Sequence, residues 1–237
     1  MDNTKVKAIV LGGIDYKEKD KLIKLFTLEQ GVVTVVFRGV KNTNAKLKSA
    51  KEMFSFGDFI LANGKFKIVT SADIIDSFFD ITKDIKKYYV ACAILDIIKS
   101  ILPEGETSAS LFILTIKCLQ MLAYEGVNVY NVINKFLIEV FTGFGYSFGV
   151  DECNNCGEKL NLSRFLNLDY GEITCTKCKV GNYIELSKQV YSALRLFTIT
   201  ETDKISTLKL NEDINKQVFN TLALNYKNRF KKSIVIM

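Results

Sequence analysis

The chain has 237 residues, of which 48 % are hydrophobic and 24 % charged, the composition of an ordinary globular protein. It contains no histidine, which removes Ser-His-Asp and Cys-His nucleophilic sites and with them most hydrolytic mechanisms. Residues 1–70 hold 13 Lys and Arg against 7 Asp and Glu, the whole formal excess of +6, while the remainder balances at 19 of each. A basic segment joined to a neutral one suggests a polyanionic partner for the first part; a solvated face with no partner is the alternative.

The basic segment reads as a small antiparallel β domain. Val6, Ala8 and Val10 alternate with Lys7 and Ile9 in a first strand. Leu22 to Leu28 is a second strand or a short helix. Gly31 then opens the β-branched run Val32 to Phe37. Phe54 to Ala62 and Lys65 to Thr70 flank Asn63-Gly64, a dipeptide suited to a two-residue hairpin. Five strands with an insert after the third is the layout of an OB barrel.

That insert, Arg38 to Glu52, is polar, basic and partly helix-prone. Arg38, Lys41, Lys46, Lys48 and Lys51 place five cations within fourteen residues. They are the candidate phosphate contacts, and Gly39 lets backbone approach a phosphate closely. Lys5 with Lys7, and Lys65 with Lys67, either widen this patch or line a solvated sheet face. Phe56, Phe59 and Phe66 are candidate stacking surfaces for bases, or core residues of the barrel.

From Asp80 the period becomes helical. Ile81 to Leu102 is amphipathic and ends before Pro103, the only proline. Ser108 to Tyr124 follows, with a cap at Thr107 or Ser108, then Asn128 to Phe144. Ser187 to Phe197 and Glu212 to Phe230, capped by Asn211, complete the set. Cys92 and Cys118 sit in apolar helical patterns as small core residues. Lys227, Arg229, Lys231 and Lys232 form a second basic cluster, or a solvated tail. No run of 18 uncharged apolar residues exists, so a membrane span is not expected.

Between the third and fourth helices lie Cys153-Asn-Asn-Cys156 and Cys175-Thr-Lys-Cys178, separated by 18 residues. Two Cys-x-x-Cys pairs at this separation form the ligand pattern of a tetrahedral Zn²⁺ site; paired disulfides and unconnected thiols are the alternatives. Each pair bends through a knuckle, and the chain between forms a short loop or hairpin. Four thiolates close the coordination shell, so the metal reads as a structural staple. Thiolate-bound zinc suits a reducing cytoplasm better than disulfides do. The expected organisation is an α+β multidomain chain. Residues 1–79 form the OB-fold nucleic-acid-binding domain, 80–150 with 182–237 an all-α helical domain, and 151–181 the inserted four-cysteine zinc element.

This order of parts resembles the RecO family of bacterial recombination mediators. The resemblance runs through Ala8-Ile9-Val10-Leu11, Asp20-Lys21-Leu22, Leu25-Phe26-Thr27, Gly31 and Arg38-Gly39-Val40-Lys41. It continues in Gly143-Phe144-Gly145-Tyr146 ahead of Cys153 to Gly157, in Gly171 ahead of Cys175 and Cys178, and in Lys231-Lys232-Ser233. The chain departs from the family's pattern at Met53, Glu172 and Leu137. The resemblance implies a non-enzymatic, cytoplasmic and nucleoid-associated protein of the RecFOR pathway. It would bind single- and double-stranded DNA and anneal complementary strands. With RecR it would promote loading of RecA onto DNA coated by single-stranded DNA-binding protein, whose acidic tail it contacts.

Two other readings compete. One is a zinc-stapled OB-fold transcription or translation factor that binds RNA. The other is an enzyme using acids around Asp73, Asp76, Asp80 and Asp84, which read more simply as helix-start charges.

Overall fold

The computed structural model describes residues 3–42, 45–64, 66–146, 149–160 and 164–236. The chain divides into two compact units: residues 1–88 with 95–119, and residues 89–94 with 120–237.

The first unit holds five strands: β1 (Asn3–Tyr16), β2 (Asp20–Thr27), β3 (Gly31–Phe37), β4 (Phe56–Ala62) and β5 (Lys67–Asp76). They close into a barrel in the order β1-β2-β3-β5-β4, with β3 and β5 parallel and the other pairs antiparallel. This is the OB arrangement expected from the run of strands. Inward side chains follow the period of two: Val6, Ala8 and Val10 on β1, Ile23 and Leu25 on β2, Val33, Val35 and Phe37 on β3, Phe59 and Leu61 on β4. Val40 and Ala50, from the connection between β3 and β4, plug the same core.

Several boundaries differ from the sequence reading. The strand option for Leu22 to Leu28 holds, but β2 starts at Asp20 and ends at Thr27, with Ile23, Leu25 and Phe26 buried on its two faces. β1 runs on to Tyr16 through a register shift between Val10 and Gly12. Pairing of β4 with β5 starts at Ala62↔Ile68, so the connection after Asn63-Gly64 is longer than a two-residue turn. The segment after β3 is a chain of turns, bonded Asn42 N–H to Gly39 O and Lys48 N–H to Ala45 O, each at 3.1 Å.

Gly31 is the tightest joint of this unit. Its φ is +65°, and a Cβ there would lie 1.8 Å from the carbonyl oxygen of Glu106. The loop carrying Glu106 lies flush along β3: Gly105 N–H donates to Val32 O at 2.9 Å, and Thr34 N–H donates to the Glu104 carboxylate at 2.8 Å. A short 3-10 turn (Phe79–Lys83) precedes α1 (Ile85–Ile101), which Asp84 caps through Lys86 and Lys87 N–H. α2 (Ala109–Tyr124) sets Phe112 against Phe26, ring centroids 5.3 Å apart.

The second unit is built on α3 (Val129–Gly143), buried almost throughout, with α4 (Lys188–Ile199) and α5 (Glu212–Phe230) packed on it. Asn128, Ser187 and Asn211 cap the three helices through their side-chain oxygens. A polar seam runs through this apolar core: Asn215 donates to the Asn131 oxygen at 2.7 Å, and Lys135 donates to Phe197 O at 3.1 Å. The chain between the two cysteine pairs forms a hairpin, one of the two options its spacing allowed, and a strand after Cys178 extends it to a three-stranded sheet. Its strands β6 (Phe165–Asn167), β7 (Ile173–Thr174) and β8 (Tyr183–Glu185) lie in the order β7-β6-β8.

Candidate nucleic-acid interface and metal centre

The turns after β3 present their cations outward. Arg38, Lys41, Lys46 and Lys48 are exposed, and Lys51 is partly covered. Val40 and Ala50, 1 % and 2 % exposed, anchor the segment to the barrel core and hold the charged residues between them at its surface. The five candidates are not equivalent. Lys41 Nζ lies 3.1 Å from an Asp15 carboxylate oxygen, and Lys51 pairs with Glu52. Arg38, Lys46 and Lys48 have no acidic partner among the described residues.

The other candidates sort as follows. Lys5 and Lys7 both clasp Asp58, at 2.8 and 2.9 Å, which holds that carboxyl below its usual pKa through their hydrogen bonds. They are a paired group on the sheet rather than an extension of the patch. Lys67 donates to Gln30, and Lys65 lies outside the described residues. Phe59 is fully buried, Phe56 stacks on Phe78, and Phe66 is 53 % exposed, so only the last offers a free ring.

Arg229 is taken up in the helical unit. Its guanidinium lies 4.0 Å from the Tyr146 ring, and Gly171, at φ +63°, leaves room for it. Asp73 and Asp76 lie on β5, while Asp80 pairs with Lys83 and Asp84 caps α1. They do not form one cluster.

The structure adds a neighbour that spacing did not reveal. The hairpin between β1 and β2 packs beside the basic turns: Lys41 N–H donates to Lys19 O at 3.1 Å and Gly39 N–H to the Asp20 carboxylate at 2.8 Å. It brings Lys17, Lys19 and Lys21 to the same edge. Their signal in the sequence was charge alone, since their proximity depends on strand register.

The four cysteines converge. Cys153, Cys156, Cys175 and Cys178 place their sulfurs within 4.8 Å of one another, and Cys156 and Cys175 Sγ are 3.8 Å apart. Tetrahedral zinc with Zn–S bonds of about 2.3 Å sets its sulfurs about 3.8 Å apart, so the donor set fits that ion. The first knuckle is closed by Gly157 N–H to Cys153 O at 2.9 Å and the second by Cys178 N–H to Cys175 O at 3.2 Å.

The thiols do not ionise alike. Burial opposes charge on Cys153, but N–H groups of Cys175, Asn155 and Cys156 outweigh it and bring the pKa to about 6. Cys178 is pushed up to about 12 by the adjacent Cys156 sulfur and by burial. One thiolate forms readily, the next resists, and a divalent cation is the species that stabilises all four.

An OB barrel with a basic edge, followed by helices that enclose a four-cysteine element, is a specific combination. The family model described as recombination protein O N terminal matches residues 1–78, and that described as recombination protein O C terminal matches residues 82–234. The chain belongs to the RecO family. Curated RecO relatives align over most of their length. A DNA repair protein RecO of Clostridium perfringens strain 13 is 29 % identical over 212 residues, covering 89 % of this chain and 86 % of the relative. That of Clostridium novyi is 25 % identical over 229 residues, 96 % and 90 % of the two chains. That of Caldicellulosiruptor saccharolyticus is 27 % identical over 226 residues, 94 % and 91 %. RecO membership places the chain in a DNA-repair family. Among the described residues no helix is long and apolar enough to cross a membrane.

Proposed function

We propose that this RecO protein is a non-enzymatic recombination mediator that binds single- and double-stranded DNA through the barrel edge around Arg38, Lys41, Lys46, Lys48 and Lys51. In this reading residues 1–79 carry the DNA, and the helical parts 80–150 and 182–237 carry partner contacts. Residues 151–181 form a structural zinc element held by Cys153, Cys156, Cys175 and Cys178. The protein anneals complementary strands. With RecR it promotes RecA loading on DNA coated by single-stranded DNA-binding protein, whose acidic tail it contacts, in the cytoplasm at the nucleoid.

The observation that carries this is the exposed row Arg38, Lys46 and Lys48, with no acidic partner among the described residues and anchored to the core by Val40 and Ala50 in a RecO-family barrel. Annealing breaks no covalent bond. It needs phosphate repulsion screened while base edges remain free, and lysine and arginine on a surface loop supply that screening without reading sequence.

The test is annealing of fluorescent oligonucleotides, matched and mismatched, with and without the protein. Matched DNA strands should pair faster in its presence, and equal rates with and without it refute the mediator reading. Acceleration confined to RNA strands would favour the RNA-binding alternative. Changing Lys46 and Lys48 together to Glu should weaken binding to all DNA sequences alike. It should also flatten the salt dependence on single strands by roughly 0.7 log unit for each phosphate that is no longer neutralised. An unchanged salt slope would make those lysines ordinary surface.

A further inference from the structure

The four sulfurs of the cysteine cluster are not equally protected. Cys153 and Cys175, the first cysteine of each knuckle, are 2 % and 6 % exposed, whereas Cys156 is exposed and Cys178 half-buried. The backbone sets this asymmetry. Cys153 N–H donates to Glu158 O at 2.8 Å, Asn154 N–H donates to Ile173 O at 3.3 Å, and Cys153 Sγ accepts Cys175 N–H at 3.3 Å. The first cysteines are thereby tied to β7, and the second ones are left toward solvent. Lys177 Nζ lies 3.2 Å from a Glu158 carboxylate oxygen and so links the two knuckles near their outer ends. Both side chains are at least half exposed, and an ion pair bathed in water is a weak brace.

A thiolate is both the metal ligand and the nucleophile of cysteine chemistry, so holding the outer cysteines as ligands also keeps them reactive. Oxidation follows thiolate character and exposure, and it goes to completion where a second thiol stands beside the first. Cys156 and Cys178 meet all three conditions, since their sulfurs lie within 4.8 Å of each other.

We propose that Cys156 and Cys178 are a peroxide-sensitive modification site, whose oxidation to a disulfide dismantles the four-cysteine shell and loosens the small sheet. The proposal rests on the zinc reading and goes beyond it. The Cys156 thiolate attacks one oxygen of hydrogen peroxide; the O–O bond breaks, an S–O bond forms and hydroxide leaves. The Cys178 thiolate then attacks the Cys156 sulfur; the S–O bond breaks, a second hydroxide leaves and the S–S bond closes. The two thiolates lose two electrons in all, and the peroxide is reduced to two hydroxides that take up protons as water. Closure draws the sulfurs in from at most 4.8 Å to about 2 Å. The outer ends of the knuckles can make that movement, whereas Cys153 and Cys175 cannot without breaking their bonds to the sheet. Two thiolates then remain where a tetrahedral ion needs four ligands. A small thiol reverses the modification by exchange with the disulfide.

The experiment treats the zinc-loaded full-length protein with hydrogen peroxide, follows metal release with a chromogenic chelator, and maps disulfides by mass spectrometry of peptides. One zinc per chain should be released for each Cys156–Cys178 disulfide formed, and the amides of Phe165–Asn167 should lose protection from hydrogen exchange. Dithiothreitol with added zinc should restore both. Limiting N-ethylmaleimide should label Cys156 and Cys178 roughly fivefold faster than Cys153, Cys175 and the buried Cys118. These readings are taken on the native chain and need no variant, so a folding defect cannot imitate them. Equal labelling of the four cluster cysteines, or a disulfide confined to either Cys-x-x-Cys pair, overturns the proposal. A zinc-loaded chain that keeps its metal at peroxide levels sufficient to oxidise free methionine overturns it as well. A wild-type chain that binds no zinc overturns the zinc reading itself.

Discussion

Cys175→Ser is expected to abolish zinc binding and to unfold the element between α3 and α4 while leaving the barrel folded. Cys175 is 6 % exposed, and its N–H donates to Cys153 Sγ at 3.3 Å, so this residue joins the two knuckles through both its sulfur and its backbone. Serine retains the N–H but removes a soft ligand and leaves three thiols around a vacated position. Structural zinc contributes on the order of 10 kcal/mol to folding in small metal-dependent modules. The strands β6 to β8 are only two or three residues long, too short to hold together without a brace.

The loss should be smaller than for an isolated module, because the element is also tied down elsewhere. Tyr191 donates its hydroxyl to Leu160 O at 3.1 Å, Asn167 bridges to Val180 O at 2.8 Å, and Arg195 meets Asp151 at 2.8 Å. Metal analysis should read one zinc per wild-type chain and none in the variant. Hydrogen exchange should become fast at the amides of Phe165–Asn167 and Ile173–Thr174 while those of β1–β5 keep their protection. Retained zinc, or unchanged exchange in β6 and β7, would refute the assignment. Acid should mimic the mutation, since each thiolate that reprotonates competes with the metal; chelator at neutral pH should do the same.

What the sequence made legible, and what it hid, follows from the range of each interaction. The convergence of the four cysteines could be read because Cys-x-x-Cys is a local constraint: two thiols that are to share one ion must sit at one turn. Barrel strands β1 to β4 could be read where one face is buried and alternation survives, as in Val6, Ala8 and Val10. The helix cap at Asn211 is also local, and its side chain accepts from the N–H groups two and three residues on.

The pattern failed where both faces of a strand are buried or both exposed. From Gly12 to Tyr16 no alternation marks β1, and its hairpin turns on Lys17 rather than on glycine or asparagine. The pairing of Asp15 with Lys41 depends on a register that no spacing encodes, so Lys41 looked as free as Lys46. Arg229 read as tail charge for the same reason, since Tyr146 and Gly171 are distant in sequence. The third strand of the small sheet, β8, escaped because a three-residue strand carries no period.

Gly31→Ala is expected to destabilise the barrel unit by about 4 kcal/mol, a large loss for one substitution that backbone strain and overpacking together can reach. Two independent terms act. At φ +65° an L residue costs about 1–2 kcal/mol in a left-handed conformation. The added methyl would also sit 1.8 Å from Glu106 O and 2.4 Å from Glu106 C, and both are main-chain atoms with no rotamer to escape through. Relief requires the Glu104–Glu106 loop to lift from β3, which breaks the Gly105 to Val32 bond and the Thr34 to Glu104 bond together. Gly105→Ala is the matched control. Its φ is +87°, yet a Cβ there meets nothing within 4 Å, so it carries the conformational cost alone. Urea unfolding of the two variants should therefore separate them by about 2–3 kcal/mol, and equal midpoints would mean that the loop does not lie against β3. Because Arg38 to Lys51 hang from the far end of β3, Gly31→Ala should also weaken DNA binding in proportion to the unfolded fraction. Its salt slope should stay unchanged, which separates damage to the fold from damage to the proposed phosphate-binding surface.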